Sequence, residues 1–144
     1  MKRLIAVTAL AAATVALVPA AAQAKTVRLK SVPFGPYQNE VAFSGTATLS
    51  GKTLTVRVPR RGPQDETLGF GLFKAKSGKG SPCKKSKAQG SRAGGWGRGK
   101  LPIDSKGKGK GTLKGKKALG RGTYYVNVTP SPKSRGILLC GVVK

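Results

Sequence analysis

The chain has 144 residues, of which 28 are Lys or Arg, four are acidic and none is histidine. That length fits one domain. A formal charge of +24 concentrates polyanions around the molecule, and the lack of histidine excludes Ser-His-Asp and Cys-His relays.

Met1–Ala24 reads as a secretory targeting segment. Lys2 and Arg3 form a basic start, Leu4–Val18 is apolar, and Ala22-Gln23-Ala24 is a small-x-small cleavage site. The apolar run is short for a membrane span and no second one follows, with a retained anchor as the alternative. Cleavage near Ala24 places the protein outside the cell or in the cell envelope. It leaves residues 25–144 as a single domain with 26 basic residues, four acids and a net charge of +22.

Thr26–Val32 alternates, with Val27 and Leu29 on one face and Arg28 and Lys30 on the other, the pattern of a half-buried strand. Pro33-Phe34-Gly35-Pro36 breaks it. Val41, Phe43, Gly45, Ala47 and Leu49 share one face of the next strand, Ser50-Gly51 is a hairpin turn, and Leu54, Val56 and Val58 face inward on the partner. Leu68–Phe73 is a further strand whose glycines imply a bulge or a close backbone contact. No helical period of useful length occurs. Short alternating runs parted by Gly/Pro turns predict an all-β fold, a Greek-key-like antiparallel β-sandwich.

Between Lys74 and Arg121 lie 16 of those 26 basic residues and one acid, Asp104. Lys74–Lys100 reads as a long irregular loop. Ser105–Lys117 reads as a basic turn leading into a short strand near Leu113. Loops of this length are uncommon in compact domains and are functional or disordered when present. The basic region 74–117 is a candidate for tracking a phosphate backbone, and Arg92–Arg98 sets one aromatic, Trp96, between arginines. The alternative is a solvated loop in a protein that is basic throughout. Candidate polyanion contacts are Lys84, Lys85, Lys87, Arg92, Trp96, Arg98, Lys106, Lys108, Lys110, Lys114, Lys116 and Lys117.

The end of the chain holds two apolar runs, Thr123–Thr129 and Gly136–Val143, separated by a Pro/Ser turn. The second carries Cys140, whose one possible partner within the chain is Cys83. Export favours their oxidation, and the chain-entropy model gives such a bridge about 4 kcal/mol. Two free buried thiols are the alternative.

Catalytic chemistry finds little support. Gly45–Thr53 departs from a phosphate-binding loop, because Ser50 stands where the second glycine belongs and the segment alternates like a strand pair. Asp65 and Glu66 are adjacent, so as strand neighbours they point to opposite faces. The residues therefore predict a non-enzyme with no cofactor, no metal and no small-molecule substrate.

The stretch from Val41 to Val143 resembles the copper–zinc superoxide dismutases. Leu68–Phe73 stands where that family has a His-Gly-Phe-His-Val-His strand, and Cys83 fits its loop cysteine. Gly97–Ile103 is similar to its His-Val-Gly-Asp-Leu-Pro-Asn segment, Gly120–Asn127 to its Gly-Arg-x-x-Val-Val-His strand, and Leu139–Val143 to its closing Ala-Cys-Gly-Val-Ile. The resemblance implies a sandwich stapled through Cys83 and Cys140. It places the copper-ligand positions on Gly71, Phe73 and Asn127, the zinc positions on Gly97 and Lys100, and the active-site arginine on Ile137. It thus implies a sandwich without either metal. Gly122–Val128 also resembles the non-enzymatic chordin-type (CHRD) sandwich domain. The expected function is that of a secreted, non-catalytic binding module for an anionic polymer: a cell-wall polymer, nucleic acid or an anionic lipid surface. The alternatives are a metal-dependent dismutase by kinship and a purely structural secreted protein.

Overall fold

The computed structural model describes residues 23–32, 43–77, 82–84 and 90–144. The targeting segment up to Ala22, the Pro33–Pro36 break, Val41, Lys85 and Lys87 lie outside them. Among the described residues nine strands follow in order: β1 Lys25–Ser31, β2 Gly45–Ser50, β3 Thr53–Val58, β4 Thr67–Ala75, β5 Gly90–Arg92, β6 Arg98–Pro102, β7 Gly109–Lys114, β8 Tyr124–Thr129 and β9 Leu139–Val142. All pairings between them are antiparallel. The fold is all-β, as the alternation predicts.

The strands form one curled path, β5-β4-β8-β9-β1-β2-β3-β7, with β6 also on β4. Strand β1 joins its halves: Lys25–Leu29 pairs with β2, while Lys30 and Ser31 pair with Cys140 and Leu139 of β9. The sheet curls into a half-barrel whose ends come side by side. There β6 and β7 are linked by the 104–108 turn and by one bridge, Ile103 to Gly109.

Inward residues alternate along each strand, as period two demands. Leu29, Ala47, Leu54, Val56 and Val58 from one half meet Leu68, Phe70, Leu72, Leu101, Val126, Val128 and Leu139 from the other. A smaller cluster, Val32, Tyr125, Ile137 and Cys140 with Phe73 and Cys83, lies apart from that core. Cys83, in a short 3-10 turn over Pro82–Lys84, is disulfide-bonded to Cys140 with Cα atoms 5.4 Å apart.

The middle of the chain departs from the expected loop. Strand β4 runs on to Ala75, and residues 90–102 return along it as one interrupted edge strand: β5 on Phe73–Ala75, then β6 on Thr67–Gly71. The Gly/Lys repeat forms the expected turn and then the strand near Leu113, which begins at Gly109 as β7. In β6 and β7, Gly99, Gly109 and Gly111 face inward while Arg98, Lys100, Lys110 and Lys114 are exposed. The Phe70 ring fills the space that side chains at Gly99 and Gly111 would take. Large on one strand and small on two others packs the closing edge, and glycine carries no hydrophobic signal to reveal it.

Candidate polyanion-binding surface

The turn between β6 and β7 is built by its one acid. The backbone N–H groups of Lys106 and Lys108 donate to Asp104 Oδ1, each at 2.9 Å. The bond from Lys108 is the largest cause holding the Asp104 carboxyl below its ordinary value, with partial desolvation opposing and the Lys106 bond and both lysine charges adding to it. A second turn is sewn to the first: Gly62 N–H donates to Gly107 O (2.9 Å), Asp65 N–H to Asp104 O (3.4 Å) and Ile103 N–H to Glu66 O (2.8 Å). These bonds bring the Asp65 and Asp104 backbones together, a neighbourhood that their sequence positions do not reveal. Asp65 stands at φ 55° in a turn instead of alternating with Glu66 along a strand.

Beyond this turn, the register of the first half lines up cations. Arg28 lies opposite Thr46, Thr46 opposite Arg57, and Arg57 opposite Lys110. Three cations and one hydroxyl thus form a rank across β1, β2, β3 and β7, with strands about 4.8 Å apart. Arg28, Arg57 and Lys110 are exposed. An open groove of about 670 Å3 passes the end of this rank, lined by Thr46, Arg57, Pro59, Asp104, Lys108 and Lys110 among others. Among the described residues, no lysine or arginine makes an ion pair within 4.0 Å. The cations here are unneutralised, and Arg57 faces Lys110 directly, an arrangement that costs stability.

The candidate residues divide accordingly. Lys106, Lys108, Lys110 and Lys114 belong to the turn and β7 and are exposed. Lys116 and Lys117 are exposed just after β7, and their backbones engage the bulge between β5 and β6: Lys116 N–H donates to Gly95 O at 2.8 Å. Arg92 is exposed on the far edge strand β5. Arg98 is committed to the fold, since its Nη1 donates to Pro132 O at 2.7 Å. That contact needs Gly69, where a Cβ would fall 2.7 Å from Pro132 Cα; this is the close backbone approach expected of the β4 glycines. Lys84 lies in the 3-10 turn, and Lys85 and Lys87 are outside the described residues.

Trp96 changes role. It is 3% exposed, its indole N–H donates to Lys117 O at 3.1 Å, and its ring occupies the space beside Gly115. A ring held this way is a core residue and offers no face for stacking on a base. The arginines around it in sequence carried the opposite expectation.

Arg28 and Arg57 were absent from the candidates. Their signal was present in the alternation, each being the charged residue between two inward apolar ones, but only pairing across strands shows that they share a rank with Lys110.

No family model matches the chain, and no characterised protein or solved structure matches it.

Proposed function

We propose that this protein is a non-catalytic binding module, exported from the cell, that holds anionic polymers on the outward face of β3 and β7 and on the adjoining 104–108 turn. The observation that carries this reading is the unpaired rank Arg28, Arg57, Lys110, continued by Lys106 and Lys108. Like charges set opposite one another on a sheet weaken it, and an anionic ligand relieves that repulsion. The working region of the basic segment is accordingly its second half, together with two arginines from earlier strands. The disulfide supports an oxidising compartment.

A salt titration of the purified protein against a fluorescent DNA duplex, heparin and a neutral glycan tests the reading. Affinity for both polyanions falls steeply with salt, with a slope set by the number of phosphates neutralised. Replacing Lys106, Lys108 and Lys110 by Gln flattens the slope by about one for each lysine that contacts phosphate. Binding that is flat in salt, or unchanged in the triple variant, counts against it.

Kinship with the copper–zinc dismutases is the second reading. Its support is the Cys83–Cys140 bond together with a register that sets Gly71 opposite Asn127 and Asn127 opposite Cys140, so two of the copper-ligand positions implied by the resemblance are neighbours. Metal analysis of the purified protein, with superoxide consumption measured alongside, separates a metal-loaded enzyme from a sandwich of that shape alone.

A further inference from the structure

A second rank stands directly beside the cationic one. Thr26 lies opposite Thr48, Thr48 opposite Thr55, and Thr55 opposite Thr112. Four threonines from four strands therefore form one line across the outward face. A third rank follows with Ser50, Thr53 and Lys114. Neighbouring ranks are two residues apart along the strand, about 6.8 Å.

Threonine suits strands, and that alone explains one or two of these residues. It does not explain an unbroken hydroxyl line bordered by cations. Thr26 and Thr48 share a hydrogen bond of 2.8 Å between their hydroxyls. Among the described residues, the hydroxyls of Thr55 and Thr112 bond to no protein group. Along β7 the outward side chains read Lys110, Thr112, Lys114: cation, hydroxyl, cation. Each threonine can donate and accept, whereas lysine and arginine favour phosphate oxygens.

We infer that this face binds a linear polyol phosphate, a polymer in which phosphodiesters alternate with short hydroxylated carbon segments. The inference rests on the polyanion reading and narrows it to one class. The cationic rank takes the phosphates and the threonine rank takes the hydroxyls between them. Single-stranded nucleic acid fits less well, because its bases call for stacking surfaces, and a duplex would engage the cations through its phosphates without needing the hydroxyl line. Among the described residues the one large hydrophobic side chain left exposed is Val142, on β9.

The test measures affinity for poly(glycerol phosphate), inorganic polyphosphate, a DNA duplex and neutral dextran. The proteins compared are the wild type, Thr48→Val/Thr55→Val and Arg57→Gln/Lys110→Gln. Valine keeps the shape and strand preference of threonine and removes the hydroxyl. The valine pair weakens poly(glycerol phosphate) binding about tenfold and leaves polyphosphate within about twofold, while the glutamine pair weakens both. If the valine pair leaves poly(glycerol phosphate) binding unchanged, the hydroxyl rank is not a binding element and the inference falls, with the electrostatic reading intact. If it weakens DNA as much as the polyol polymer, the partner is nucleic acid and the inference is likewise overturned. If the glutamine pair weakens neither polymer, the broader reading fails as well. Thr112→Val, at an exposed position on the edge strand, gives the same discrimination should the double variant not fold.

Discussion

Trp96 donates its indole N–H to the carbonyl of Lys117 across 3.1 Å, closing the bulge of one edge strand onto the exit of the other. As the single tryptophan of the chain, it reports on this junction alone. Trp96→Ala is expected to cost about 3–5 kcal/mol of stability. Trp96→Phe retains much of the packing, loses the hydrogen bond and costs about 1–2 kcal/mol. Intrinsic fluorescence is expected to be that of a buried indole and to stay unchanged when DNA or heparin binds. A polyanion that quenches or shifts the emission would place the ring at the interface.

Arg57 and Lys110 sit opposite each other with no acid between them. Arg57→Thr is therefore expected to raise stability at low ionic strength by about 0.2–1 kcal/mol while weakening polyanion binding. The stability gain is expected to fade toward about 1 M salt, where the screening length is about 3 Å. Urea midpoints at two salt concentrations, with a binding titration beside them, check both halves of the expectation.

Asp104 ties the acid limb of stability to the turn. Its folded carboxyl titrates below the ordinary value of 3.8, so the folded state favours the ionised form. The resulting stabilisation is present above the unfolded value and is lost as pH falls through the lower, folded one. Asp104→Asn keeps an oxygen for the two backbone donors and removes the charge. The stability gap between wild type and this variant is expected to be constant near neutrality and to shrink below about pH 4, as read from thermal midpoints across pH. A gap that widens on acidification would reverse the assignment.

Cys83 and Cys140 are separated by 57 positions in sequence. Replacing both by serine is expected to cost about 4 kcal/mol by the chain-entropy model, measurable by chemical denaturation with and without reductant. The rank from Arg28 to Lys110 lies on the other half of the sheet, so the molecules that remain folded should keep the salt slope of the wild type.

Strands whose inward residues are large were legible from alternation alone. Leu54, Val56 and Val58 mark β3, and the Ser50-Gly51 turn sets its pairing with β2. The short strand expected near Leu113 is β7, whereas β6, read as part of a long loop, was hidden for the opposite reason. Its inward positions are Gly99 and Leu101, and the apolar volume beside Gly99, as beside Gly111 of β7, comes from Phe70, far away in sequence. The glycine-rich basic stretch up to Lys100 therefore looks like an irregular loop until Phe70 is placed. The binding face was half legible for a related cause: local charge density points to Lys106–Lys114, but Arg28 and Arg57 join it only through register. Trp96 shows the limit of neighbourhood arguments, since the arginines beside it in sequence said nothing about the direction of its ring.

Strand β1 pairs with β2 at Lys25–Leu29 and with β9 at Lys30 and Ser31, so the first and last of the described strands meet in one ladder. The sheet therefore cannot close without residues 139–142, because the strand that joins its halves lacks one of its partners until they are in place. Pairings this distant in sequence are slow to form. Loss of Leu139–Val142 would remove the partner of Lys30 and Ser31 and of Tyr125–Val128 together, so removing these few residues should do more harm than their number implies.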